Sequence, residues 1–232
     1  MMDTTNVLWY SSISVQFLFC VYLVWTRLAK SFPTFTGYLA VSVAASLCGI
    51  YFMRGAEGAR LPLSYTYYWL YAEPVMLLAQ VAVVLEVHAG MWKGHESIVR
   101  QMRPLLLFAL LIALIAAAIP IRSEIARVGS SKLIATMHFE LLVKRYISTV
   151  LAIFLVLSAT LFIIAIHNAL KSTLLRHEGM LAAYLGIYAL AVFLVDMGFT
   201  RAIFLNGYLS SALTLCFVVW ISVFKPQPLA SQ

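Results

Sequence analysis

Long apolar runs alternate with short polar breaks along this chain, and the runs show neither the two-residue alternation of a strand nor a single apolar stripe. Seven of them can be drawn, at residues 7–25, 35–53, 65–88, 104–121, 146–167, 180–199 and 205–224. Each is close to the ~20 residues that a helix needs to cross a bilayer. A segment in hydrocarbon must satisfy its amides internally, and these runs are too continuous for barrel strands, so helices are required. The pattern predicts an all-α integral membrane protein: a seven-transmembrane-helix bundle forming one transmembrane domain over 1–232. Pro33 and Pro104 sit at span starts, where a missing N–H is harmless. Pro74 falls inside the third span and should kink it or free a carbonyl there.

Composition strengthens this picture. Apolar residues make up 63% of the chain and charged residues 11%, against about 45–50% and about 25% in soluble domains. Seven spans and their connections nearly exhaust the 232 residues, so no soluble domain is expected. Nothing near the N-terminus reads as a cleavable signal peptide. The net charge of +7 fits retention of cytoplasmic loops and contact with anionic headgroups, with the lipid bilayer and no nucleic acid as partner. Cys20, Cys48 and Cys216 each fall inside a span without paired spacing, so packing is their expected role.

Loop charge orients the bundle. One side receives Arg27, Lys30, Lys93, Arg100, Arg103, Lys171, Arg176 and Lys225; the other receives Arg54, Arg60 and Arg201 in its short loops. The first side is therefore expected to be cytoplasmic, with the C-terminus inside and the N-terminus outside, in the plasma (inner) membrane. Five further cations lie between Arg122 and Arg145, the longest connection. Within it, Gly129-Ser130-Ser131 reads as a break and an N-cap. Leu133, Ile134, Met137 and Leu141 then recur at helical spacing, so an outward extension of the fifth helix is expected rather than a helix lying at the interface.

The polar residues of the spans cluster in the outer half under this topology. Ser12 and Gln16 in the first helix, Glu73 in the third, Asp196 in the sixth and Asn206 in the seventh would face lipid at a cost unless they converge inside. For the serines alone, hydrogen bonding that holds helices together is the expected role. Tyr65, Trp69, Glu73 and Gln80 share one face of the third helix. An acid among aromatic rings there suits a small-molecule or cation ligand, or a proton. A structural alternative pairs Glu73 with Arg54 or Arg201. Glu86 and His88 read as solvated boundary residues at the inner end.

Two imidazoles on facing helices can hold a haem iron, and His88 with His167 is the available pair. No pattern around them supports it, and no cofactor or metal is expected. No H-E-x-x-H or G-x-S-x-G motif is present, so no catalytic residue is assigned and an enzyme is not expected. A retinal protein resembling the microbial rhodopsins would carry a lysine in its last span, which this chain lacks. The helix count also looks like that of small sugar transporters built from two three-helix repeats, but their proline-bearing motifs have no counterpart at matching positions.

Three functions remain. The first is a receptor-like, non-enzymatic protein that binds a small ligand, or a membrane or cytoplasmic protein partner, with Glu73, Trp69, Tyr65, Gln80, Asp196, Gln16 and Asn206 as the binding residues. The second is a secondary transporter using an intramembrane carboxylate. The third is an accessory subunit of a larger membrane complex. Transport would gain weight from a further intramembrane charge at the inner end, and no such group stands out in the sequence.

Overall fold

The computed structural model describes residues 4–53, 63–128, 132–166, 173–196 and 202–223. It contains seven α-helices: α1 (Thr4–Trp25), α2 (Pro33–Met53), α3 (Leu63–Met91), α4 (Glu96–Val128), α5 (Lys132–Ala165), α6 (Thr173–Asp196) and α7 (Ala202–Val223). No strand occurs among the described residues. Six helices are long and apolar enough to cross a membrane; the described apolar run of α7, Leu209–Val223, is shorter. Large apolar side chains cover the outside of the bundle, including Trp25 at 84% exposure and Ile164 at 77%. Lipid is the solvent for which such a surface costs nothing, and the pattern is that of an integral membrane protein.

Several helices overrun the apolar segments that announce them. α4 begins at Glu96 and α6 at Thr173, well before the expected starts at 104 and 180. Hydropathy sees only the lipid-buried part of a helix, and the preceding turns are built from charged and polar residues. Pro104 therefore lies within α4 rather than at its start, as does Pro120, while Pro74 is inside α3 as expected. The fifth helix does extend beyond its apolar run, continuously from Lys132. Because α4 also runs on to Val128, most of the supposed long connection is helical. The Gly129–Ser131 break itself lies outside the described residues.

α1, α2 and α7 pack against one another around an aromatic cluster. Phe19, Phe35, Phe217 and Trp220 are all fully buried there, with the rings of Phe35 and Trp220 4.9 Å apart. α3, α5 and α6 form a second packed group, sealed by Val83, Val84, Leu151, Leu155 and Leu185. α4 leans on α5 and barely touches α3.

The ends of α1, α3 and α5 and the starts of α2, α4 and α6 share one end of the bundle, as contacts from His88 to Ser158 and from Trp220 to His177 require. This end bears Arg27, Lys30, Lys93, Arg100 and Arg103, and is termed the basic end. Its turns are tight. A single 3-10 turn, Leu28–Lys30, joins α1 to α2, and Gly94 adopts φ 91° between α3 and α4. A side chain at Gly94 would be strained in that left-handed region.

Glu86 fixes how α2 enters. Its carboxylate accepts the backbone N–H groups of Thr34 at 2.8 Å and Phe35 at 2.9 Å. Those groups are orphan donors at the N-terminus of α2, where the helix dipole also favours an anion. Glu86 is thus not the freely solvated boundary residue that its position near the end of a span suggests. It clamps α3 to α2.

Candidate functional site

The polar side chains of the second helix group occupy three levels, each built by the heptad-like spacing that keeps one face of a helix inward. The level farthest from the basic end contains Glu73, ten residues into α3 and so about 15 Å along its axis. Its carboxylate forms an ion pair with the Lys144 ammonium of α5, at 21% and 16% side-chain exposure respectively. The ammonium also stands over the Tyr188 ring of α6, 4.7 Å from its centre. Glu140, one turn before Lys144, lies within the electrostatic reach of both charges, and its buried Oε1 has no hydrogen-bond partner among the described residues. Among the described residues this level therefore holds the carboxylates of Glu73 and Glu140 and the ammonium of Lys144.

Tyr65 and Trp69 lead from Glu73 toward the far end of α3 as expected, their rings 6.2 Å apart. Trp69 packs on α2 at Gly49, where an added Cβ would sit 3.0 Å from the indole. The small residue is what lets the ring lie there. The buried indole N–H of Trp69 adjoins the Tyr65 hydroxyl but makes no hydrogen bond of normal geometry among the described residues.

At the middle level Gln80 Nε2 donates to the Tyr38 hydroxyl at 3.2 Å, and Tyr38 and Tyr184 share a hydroxyl–hydroxyl bond of 2.9 Å. Gln80 Oε1 is buried with no hydrogen-bond partner among the described residues. Four expected residues, Tyr65, Trp69, Glu73 and Gln80, thus follow one continuous inward path.

Gln16 does something else. It accepts a hydrogen bond from Ser42 at 2.7 Å and donates to Ser12 at 3.3 Å, which fastens α1 to α2. This is the interhelical bonding expected of the serines, applied to the glutamine as well. The side chains of Asp196 and Asn206 lie outside the described residues, as do Arg54, Arg201 and His167.

The partner of Glu73 is Lys144, a residue the charge pattern assigned to a connection rather than to the membrane interior. The helical continuation of α5 carries it inward. Position is also what sequence reasoning missed at the basic end, where a third level appears. His88, read as a solvated boundary residue, is fully buried, as are Ser158, His177 and Glu178. His88 Nδ1 is 2.8 Å from the Ser158 hydroxyl, which also accepts the Trp92 indole N–H at 3.1 Å. The same hydroxyl adjoins the carboxyl of Glu178, neither of whose oxygens has a hydrogen-bond partner of normal geometry among the described residues. Nearby, Trp220 donates to His177 Nδ1 at 2.9 Å. Glu178 and His177 escape a hydropathy reading because they fall before the apolar run of α6. Their spacing to Leu181, Tyr184, Leu185 and Tyr188, all on the inward face, is the signal that finds them.

Among the described residues no group of three or more His, Cys, Asp or Glu side chains is arranged to hold a metal ion. No protein-family model, curated protein or solved structure matches the chain.

Proposed function

We propose that this protein is a non-enzymatic, receptor-like membrane protein that recognises a small cationic ligand at the Glu73–Lys144–Glu140 level. The observation carrying this reading is that, among the described residues, two carboxylates share the Lys144 ammonium and a buried oxygen of Glu140 has no hydrogen-bond partner. A ligand ammonium beside Glu140 would complete the charge balance, and the rings of Tyr65, Trp69 and Tyr188 suit a cation with apolar substituents. With the basic end cytoplasmic by the loop-charge rule, all seven helices crossing and the N-terminus outside, this level lies in the outer half of the bundle. A cytoplasmic reporter fused after Gln232 is then expected to be active, and an inactive one overturns the orientation.

Binding is tested on purified protein by thermal unfolding against a panel of primary amines and quaternary ammonium ions. At least one member is expected to raise the midpoint of wild type while leaving Glu140→Gln unmoved. A panel that stabilises neither protein, or both alike, defeats the reading, and a second chain retained stoichiometrically in mild detergent makes an accessory subunit the better one.

Secondary transport is the second reading, and one observation favours it. Glu178 and His88 supply the additional ionisable groups toward the basic end, with Tyr38, Gln80 and Tyr184 between the two levels. Transport requires such groups at both depths, whereas a receptor needs only the first.

A further inference from the structure

Where α4 parts from α3 at the basic end, a cleft of about 560 Å³ opens between the last turn of α3 and the first turns of α4. Its charged lining consists of Lys93, Arg100 and Arg103, with Glu96 as the one carboxylate, and the indole of Trp92 forms part of its wall. Lys93, Arg100 and Arg103 are all exposed, whereas Trp92 is buried and held by its bond to Ser158. The volume falls in the range of small-molecule sites, well above what a lone inorganic ion needs.

From this geometry we infer that the cleft binds the phosphate-bearing headgroup of an anionic phospholipid, taken from the leaflet at the basic end. Arg100 and Arg103 stand one turn apart on α4, so both guanidinium groups can reach one phosphate, with Lys93 facing them from the turn. What distinguishes a lipid from a soluble phosphate is the surface beyond the cleft. On the side of α4 that carries Arg100 and Arg103, the next turns present Leu107, Phe108 and Leu111, all more than half exposed. A headgroup seated among the cations would lay its acyl chains along this apolar stripe. The inference is independent of any ligand at the Glu73 level.

The test is native mass spectrometry of the purified full chain in detergent, titrated separately with phosphatidylglycerol and phosphatidylcholine. Phosphatidylglycerol is expected to bind preferentially. Removing two surface charges in Arg100→Gln/Arg103→Gln should weaken it about 30-fold. Arg176→Gln, an exposed cation at the same end but outside the cleft, should leave binding unchanged. Equal retention of phosphatidylcholine, or an equal loss in Arg176→Gln, would reduce the site to nonspecific charge and overturn the inference. A competition arm with glycerol phosphate separates the sources. Displacement of the lipid at comparable concentration would show that the cleft takes a soluble phosphate ester instead, and failure to compete supports the lipid.

Discussion

Substituting Lys144 by Met is expected to destabilise the protein by about 3–5 kcal/mol, the range found when one partner of a buried ion pair is removed. The loss is large because two carboxylates, Glu73 and Glu140, are then left facing each other in a site that water reaches only partly. Glu73→Gln should cost clearly less, since Glu140 remains to answer the Lys144 ammonium. The double variant Glu73→Gln/Lys144→Met should be no worse than Lys144→Met alone, giving a coupling energy that distant sites do not show. Thermal unfolding in detergent or nanodiscs measures all three. If Glu73→Gln and Lys144→Met destabilise additively, the pair is not a coupled unit and the charge balance argued for this level fails.

The asymmetry also bears on function. A site made only for structural pairing needs one acid for one lysine. Retaining Glu140 as a second acid raises the charge density without improving the pair. If Glu140→Gln leaves stability equal or higher while abolishing stabilisation by an amine, the extra carboxylate is there for a ligand.

How much of this was legible in the sequence differs by element. Long apolar runs give helices almost by necessity, because lipid leaves the backbone no other partner, and all seven are found near their expected places. The ends were illegible for a physical reason. Glu96–Arg103 and Thr173–Gly179 form helix as readily as the apolar residues that follow, yet carry no hydropathy signal. Those hidden turns contain His177 and Glu178, so the polar level at the basic end went unseen with them.

At the other level, the shared face of Tyr65, Trp69, Glu73 and Gln80 follows from 3.6-residue periodicity on a single helix and needed no tertiary information. Pairing did need it. Which cation meets Glu73 depends on how far α5 extends and how it is rotated against α3, and neither is written in local composition. Gln16 marks the same limit: a buried amide on α1 has no sequence feature that says whether it turns toward α2 or toward a ligand.

Glu178 supplies the sharpest remaining expectation. A polar group buried without a hydrogen bond costs about 1–3 kcal/mol by protein mutational data, and the carboxyl of Glu178 is fully buried with no hydrogen bond of normal geometry among the described residues, only the adjoining Ser158 hydroxyl. Glu178→Met, similar in volume and flexible enough to fill the space, is therefore expected to raise stability by about that amount. Its neighbour predicts the reverse. Ser158 serves both His88 and Trp92, so Ser158→Ala orphans two buried groups and should destabilise by a comparable margin. A more stable Glu178→Met protein would mean that the acid is kept despite its cost, and transport is the reading that explains the retention. In liposomes carrying a pH gradient, wild type should then mediate solute flux and Glu178→Met should not, although it is the better-folded protein. If Glu178→Met unfolds at lower temperature instead, Glu178 is bonded to a structural partner and its claim on transport disappears. If the variant is more stable but flux is absent from wild type as well, the transport reading falls, and the receptor reading stands on the Glu73 level alone.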